Sequence, residues 1–337
     1  MNKIVLIGTA LTLMAGGLAS GAAAQEFTLR VQTHYSAESV SGKLAQSFVD
    51  DVETMSGGRI DIEMFYSSSV VDSVEGFNAA ATGILDGEMH GAAYLTGKNR
   101  AFQFLGDPMG AYDNPWQMYE FLYQGGGLEA ANKLYNEQGM QFVGWWAGGQ
   151  ESLVSTKPLA GPADLKGWKF RSPPGLETQI FSQMGASPIV MDFTEVFTAL
   201  ETGIIDGADH STIANNLSGG DYDLTSHTTY PGFHSMPADH VTFNLKVWKS
   251  LPVDLQRIIE VAAQKLALQT TMTFDIANRE AAKKVAERGV TIHNWSTEDR
   301  TAFRRAAQAA WDDFADTPEA KELVRAHRAF LKRIGLL

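Results

Sequence analysis

Apolar and polar positions alternate through FTLRVQTHY (27–35) and RIDIEMF (59–65), the period of a strand with one face buried. Between them SGKLAQSFVDDVETMS has the pattern of an amphipathic helix, and Gly57 with Gly58 marks the turn. VVDSVEGFNAAAT predicts a second helix with Gly83 as its C-terminal cap, and ILDGEMHGAAYL predicts another strand segment. The order then recurs. MQFVGWWAGG and WKFRS read as strands, TEVFTALET as a helix ended by Gly203, and IIDGADHS as a strand running into a loop. Strands alternating with helices predict an α/β chain with parallel layers.

Two stretches repeat this order closely. FNAAATGILDGEMH (77–90) and FTALETGIIDGADH (197–210) lie 120 residues apart and share eight of fourteen positions. Each reads as helix, glycine cap, strand, and polar residues at the strand's carboxyl end, where open α/β sheets bind ligands. Helix, glycine, strand, Asp-Gly is also a local solution that can arise twice independently. Two similar lobes, each aiming one strand end at a shared cleft, account for more of the pattern. From 253 to 288 no Gly or Pro interrupts the chain, with Pro252 at the start and Gly289 at the stop. A helix there would be roughly 50 Å long at about 1.5 Å per residue, more than the width of one small lobe. The alternative is two helices parting near LQTTMTFD, where β-branched threonines lower helix propensity.

Composition narrows the class. A length of 337 residues suits two domains, and 44% hydrophobic with 20% charged residues suits packed cores. A net charge of −12 argues against a nucleic-acid partner. The chain has no cysteine, which excludes disulfides and thiolate metal sites and suits an oxidising compartment. The N-terminal run MNKIVLIGTALTLM is followed by Gly16, Gly17, Ser20 and Gly21, then by Ala22, Ala23 and Ala24 in a small-x-small pattern. The run is short for a span of about 20 apolar residues. It predicts a cleaved signal peptide, 1–24, a mature start near Gln25 and a periplasmic protein.

GGRIDIEMFYSSSV, DLKGWKFRSPPG, EVFTALETGIIDGADH, YPGFHSMP and LPVDLQRIIEVAA, in this order behind a signal peptide, resemble the solute-binding proteins of tripartite ATP-independent periplasmic (TRAP) transporters. The resemblance spans essentially 26–337. YPGFH and the paired tryptophans of GWWAGG are nearest the branch that binds 2-oxo acids and related carboxylates. It implies a two-lobed, type II-like α/β periplasmic binding protein with an interlobe cleft and a long helix spanning both lobes. Lobe 1 would comprise 25–148 with about 237–275, and lobe 2 would comprise 149–236 with about 276–337. It also implies a small organic acid ligand, TRAP membrane permease subunits as partners, and capture without chemistry.

The site candidates follow. Arg171 ends WKFR before Ser172, Pro173 and Pro174; arginine is always charged and bidentate toward carboxylates, and the resemblance makes it the ligand's anchor. Asp209 and His210 end the second repeat. The family carries an acid followed by Asn or Trp here, so Asp-His departs from its pattern. Asp209 could accept a hydrogen bond, pair with Arg171 or ligate a metal through oxygen. Gln150 stands where the 2-oxo-acid branch has a cation-coordinating glutamine. The further acid expected within YPGFH is absent, with Ser235 and Met236 in its place. No cofactor is required on this reading; Na+ or Ca2+ held by Gln150 and Asp209 and bridging to the ligand is the optional addition. Tyr94, His34, Trp146 and Phe233 are either cavity walls or core aromatics. No second Lys or Arg recommends itself, which points to a monocarboxylate. The helical tail TPEAKELVRAHRAFLKRIGLL suits a monomer or a homodimer.

Two rival classes use the same features less well. An exported metal-dependent enzyme would need a recognisable constellation, and the chain has no H-E-x-x-H, G-x-S-x-G or phosphate loop. The binding protein of an ATP-driven importer shares the two-lobe logic but not these motifs.

Overall fold

The computed structural model describes residues 25–337. The expected signal peptide, 1–24, lies outside the described residues. Among them are eleven strands: β1 (Phe27–Thr33), β2 (Ile60–Phe65), β3 (Gly87–Gly91), β4 (Met140–Ala147), β5 (Ser152–Ser155), β6 (Lys169–Ser172), β7 (Ser187–Val190), β8 (Gly207–Ser211), β9 (His227–Thr229), β10 (Ala238–Asn244) and β11 (Thr291–His293). They form two sheets, one ordered β2-β1-β3-β10-β4 and the other β11-β9-β5-β8-β6-β7. Each sheet is the centre of a lobe. The chain crosses between them at 148–151 and returns at 230–237.

The repeated segments occupy equivalent places. β3 lies between parallel β1 and antiparallel β10, and β8 lies between parallel β6 and antiparallel β5. Their shared residues do the same mechanical work. Gly83 and Gly203 take the left-handed backbone (φ 89° and 71°) that ends each helix. Asp86 and Arg30 bond reciprocally: the Asp86 amide donates to the Arg30 carbonyl at 2.8 Å, and the Arg30 amide to the Asp86 carboxylate at 2.8 Å. Asp206 repeats this with Lys169, at 2.7 Å and 3.3 Å. Each aspartate therefore pins the neighbouring parallel strand, Asp86 at the middle of β1 and Asp206 at the start of β6. A Cβ on Gly87 would lie 2.7 Å from the Thr242 carbonyl, and one on Gly207 would lie 2.3 Å from that of Val154. The repeat is thus a strand-docking unit used once per lobe, with its histidine carried to the cleft.

Val253–Glu287 is one uninterrupted helix of 35 residues. The threonines that lower its propensity are held by packing: Thr270 and Thr271 are buried, and Thr271 donates to the Ala147 carbonyl at 3.2 Å. Ala263 packs on Gly144 of β4, and Phe274 on Gly148. Asn278 accepts from the Ala214 amide in the second lobe at 3.2 Å. This helix therefore touches both lobes, as a spine. No helix among the described residues is long and apolar enough to cross a membrane.

The tail differs from the sequence reading, which groups about 276–337 with lobe 2. Helix Thr297–Phe314 packs on Leu176–Gln183 of that lobe, but its Trp311 indole donates to the Met109 carbonyl of lobe 1 at 3.0 Å. Helix Pro318–Arg333 packs on Ala101–Gly106 of lobe 1. There His327 bonds the Phe104 carbonyl at 2.7 Å and the Tyr112 hydroxyl at 2.8 Å. His327 is buried in an aromatic cluster with Phe121 of lobe 1 and Trp311 of the preceding tail helix.

The two glycines of the second repeat separate conformation from space. Gly203→Ala meets no neighbour and should cost about 1 kcal/mol for its left-handed backbone. Gly207→Ala meets the Val154 carbonyl and the Trp168 ring at 2.3 Å and 2.5 Å, and should cost about 3 kcal/mol or more. Urea unfolding of both variants checks the order; equal costs would contradict it.

Candidate functional site

Arg171 sits at the carboxyl end of β6, only 2% exposed, because the strand carries it from the sheet interior into the cleft. Its Nη1 donates to the Asp209 carbonyl at 2.7 Å, and its Nε reaches the Met191 carbonyl at 3.4 Å. Its Nη2 crosses to lobe 1 and donates to the Tyr94 hydroxyl at 2.7 Å. Burial alone would lower the guanidinium's pKa, but Tyr94 and Asp209 outweigh it and hold the pKa above its usual value. Tyr94 itself is pushed up to about 12 by burial, so it stays a neutral hydroxyl.

The lobes are closed on one another. Besides the Arg171–Tyr94 bond, the Ser73 amide donates to Asp192 at 2.8 Å, and the Ser73 hydroxyl also bonds that carboxylate. The Leu176 amide donates to Gln103 at 2.9 Å, and the Ser41 amide to Asn215 at 3.2 Å. Between them lies a cavity of ≈ 50 Å³ whose lining includes His34, Tyr94, Phe193, His210 and Glu151. Phe193 is its floor: its ring centroid lies 4.5 Å from that of His34 and 4.1 Å from that of His210, with the Arg171 guanidinium at 5.7 Å. His210 Nδ1 bonds Asp221 at 2.8 Å. His90, the first repeat's counterpart, packs at 4.3 Å from His34 and 4.2 Å from Tyr94. Burial lowers both lobe-1 histidines, His90 to about 4.

Behind the cavity, where the chain crosses between lobes, lies a cluster of buried acids. Glu151, Asp209 and His234 each offer a ligand atom, all within 4.8 Å of one another. His234 Nε2 lies 3.1 Å from Asp209 and 3.7 Å from Glu177. Burial would raise Asp209, but His234 and then Arg171 bring it below its ordinary range. Burial, then the charge of Asp209, pushes Glu151 and Glu177 well up. Burial lifts Asp107 and Asp239 to about 6.

Placement differs among the expected residues. Arg171, Tyr94, Asp209, His210 and His34 converge on the cleft. Trp146 is buried edge-on to Tyr35 at 5.7 Å, behind the cavity. Phe233 stacks on Trp295 at 4.1 Å and packs against Phe303, and it does not line the cavity. Gln150 Nε2 donates to the Tyr112 carbonyl at 3.4 Å, and its Oε1 is buried without a hydrogen-bond partner. Glu151, the next residue, supplies a carboxylate to the cluster. Phe193, Asp107, Glu151, Glu177 and Asp239 were not singled out from sequence. Each is brought in by a different element, and no local pattern marks them.

Comparison with known proteins gives the family. The model for bacterial extracellular solute-binding proteins, family 7, matches residues 31–317. This chain belongs to that family. It is a TRAP solute receptor, and its relatives agree. A monocarboxylate 2-oxoacid-binding periplasmic protein of Nostoc sp. is 29% identical over 294 residues, covering 86% of this chain and 80% of that protein. A TRAP periplasmic solute-binding protein of Rhodobacter sphaeroides, solved in an apo open form, is 34% identical with a TM-score of 0.71, covering 92% and 99%. One from Bordetella bronchiseptica, a dimer carrying copurified calcium and picolinate in one site, is 22% identical with a TM-score of 0.85, covering 92% and 93%.

The receptor's acid cluster constrains its own protonation. The Ser235 hydroxyl lies 2.9 Å from both Asp107 and Glu151. One hydroxyl has one proton to donate, so the second carboxyl must donate in return. At least one of the two is a carboxylic acid when no cation lies between them. A carboxyl raised in the fold gives stability that is present below its unfolded pKa and lost as pH rises through its folded pKa. For Asp107 that window runs from about pH 4 to about 6. Buried histidines such as His90 and His327, both lowered by burial, act in the opposite direction, so the test is differential. Relative to Asp107→Asn, the wild type should lose roughly 2–3 kcal/mol between pH 4 and 6.5 and then level off. Denaturant titrations in chelator across that range measure it; a constant difference would show that Asp107 ionises normally.

Proposed function

We propose that this TRAP receptor captures a small organic monocarboxylate in the interlobe cavity and delivers it, in the closed form, to its membrane permease. The observation that carries the reading is Arg171, a buried guanidinium that bridges the lobes at the cavity. An arginine has five N–H donors. Carbonyls and Tyr94 take three, which leaves two for a ligand carboxylate. The lining residues include no lysine or arginine, and Arg171, 5.7 Å from the Phe193 ring and bonded to Tyr94, is the cation beside the cavity, which favours one carboxylate over two. The Nostoc relative's named ligand class supports the same choice. The net charge of −12 opposes an anion at long range, so local charge at Arg171 must prevail in the dry, closed cleft. The receptor works by capture without turnover, in the periplasm, as a monomer or homodimer.

The anchor has a direct test. Removing one member of a buried charged pair costs about 3–5 kcal/mol. At about 1.4 kcal/mol per tenfold, Arg171→Ala should weaken binding by on the order of a hundred- to several thousand-fold. Arg171→Lys should also bind poorly, because an ammonium lacks the two-pronged geometry. A thermal-shift screen of carboxylates supplies the ligand, and calorimetric titration of folded variants supplies the numbers. Binding by Arg171→Ala within about threefold of wild type would put the carboxylate elsewhere.

A cation is a second component of this reading. Glu151, Asp209 and His234 would hold it; Asp209 Oδ1 and His234 Nε2 face each other at 3.1 Å without hydrogen-bond alignment, and His234 Nδ1 is buried with no partner. An ion there would supply positive charge beside Arg171; oxygen donors suit calcium, while the imidazole is less usual for it. The calcium of the Bordetella relative supports testing this ion first. Exhaustive chelation should lower ligand affinity and calcium, or sodium at higher concentration, should restore it. Unchanged affinity after verified metal removal would leave protons as the only neutralisers of the cluster.

A further inference from the structure

His210 reaches the cavity with one ring nitrogen engaged and one unengaged. Nδ1 lies 2.8 Å from Asp221 Oδ2, while Nε2 is buried with no partner. Asp221 is 0% exposed, and among the described residues His210 is the one side chain to which its carboxylate is hydrogen-bonded. It opens the short helix Asp221–Leu224 straight after Gly220, whose left-handed backbone (φ 86°) turns the chain back toward β8. The fold thus spends a fully buried acid on one imidazole. A carboxylate only accepts hydrogen bonds, so Nδ1 is the donor of this bond, and the Nδ1–H tautomer that it favours leaves Nε2 with a lone pair. The ring lies against Phe193, which also lies under the Arg171 guanidinium. A ligand held at Arg171 and spread over Phe193 meets Nε2 next.

We propose that Asp221 is a positioning residue that makes His210 Nε2 a hydrogen-bond acceptor, so that the site selects carboxylates bearing a hydroxyl donor. This rests on the carboxylate reading above and adds the polarity of the second contact. A 2-hydroxy acid donates to Nε2. Its 2-oxo analogue offers only an acceptor, two lone pairs would face each other, and the unsubstituted acid leaves Nε2 buried and unpaired. Asp221→Asn keeps the size but can donate an amide proton to Nδ1. That moves the ring proton to Nε2 and reverses the contact, by the same logic as the aspartate of a serine-protease triad.

Two measurements test this. Two-bond proton–nitrogen NMR of the labelled, ligand-free protein at neutral pH reads the His210 tautomer. It should report Nδ1–H in the wild type and a shift toward Nε2–H in Asp221→Asn. Calorimetry with D- and L-lactate, pyruvate and propionate reads selectivity. At least one lactate enantiomer should bind about tenfold or more tighter than propionate and tighter than pyruvate, and Asp221→Asn should reduce that ratio to within about threefold. A wild-type Nε2–H tautomer or imidazolium, or a hydroxyl preference unchanged in Asp221→Asn, overturns the proposal. The tautomer needs no ligand and Arg171→Ala tests the anchor, so failure of the dyad and failure of the carboxylate reading are told apart.

Discussion

A guanidinium cannot be taken out of water without partners, and the closed form of this receptor is arranged around that requirement. Arg171 is 2% exposed, and its three hydrogen bonds come from Asp209, Met191 and, across the cleft, Tyr94. The first two belong to its own lobe and fix where the charge sits. The third exists only when the lobes meet. Closure therefore exchanges hydration of Arg171 for one cross-lobe bond and whatever occupies its remaining N–H groups. A carboxylate answers that need best, since it is the anion whose geometry matches two parallel N–H groups. On the proposed reading, ligand binding and closure are one event, with the ligand biasing a two-state hinge by its differential affinity.

The scaffold that delivers these groups is simple by comparison. Both lobes use the same unit, in which an aspartate pins a parallel neighbour and a glycine admits an antiparallel carbonyl. The strand that results ends at the cleft with a histidine. The units then diverge. In the first, Glu88 is buried in the lobe, 2.5 Å from His240, while the position before the histidine is apolar Met89. In the second, Ala208 replaces the glutamate and Asp209 replaces the methionine. The buried acid has moved one residue along the strand, and one residue along a strand is the opposite face. One lobe thus keeps its acid inside as structure, and the other presents it to the cluster behind the ligand cavity.

This explains what was legible in the sequence. The repeat, the spine helix and Arg171 are local patterns, carried by glycine caps, an unbroken run and a strand end before two prolines. Five cleft residues followed from those patterns or from the family resemblance. Glu151, Asp107, Glu177 and Asp239 were not legible, because each lies on a different element and they become a cluster only when the two crossovers meet. At the hinge the sequence reading named Gln150 and passed over Glu151, the adjacent residue whose carboxylate joins the cluster. Phe233 carried no mark to separate a cavity wall from a core ring; Trp295 and Phe303, both distant in sequence, decide that it packs. The tail's docking on lobe 1 was hidden for the same reason, depending on His327 finding a slot among Phe121, Trp311 and Tyr112.

The acid cluster and the anchor are best understood together. Five carboxyls, those of Asp107, Glu151, Glu177, Asp209 and Asp239, lie buried around His234 and Arg171. Were all five ionised, their mutual repulsion in a poorly hydrated hinge would exceed what the neighbouring guanidinium and imidazole can offset. The fold resolves this by grading them. Asp209, beside His234 and Arg171, keeps its charge; Glu151 and Glu177 are driven toward the neutral acid; Asp107 and Asp239 stand near neutrality of the solution. Ser235, which stands where the family resemblance leads one to expect another acid, instead shares its hydroxyl between two of them. The missing acid has therefore not been lost from the site's chemistry. Asp107 and Glu151 supply carboxyls to the same place from two other segments, and Ser235 makes room for both. A proton or a metal ion can satisfy that arrangement, and either choice leaves the positive charge of Arg171 available to the carboxylate proposed above.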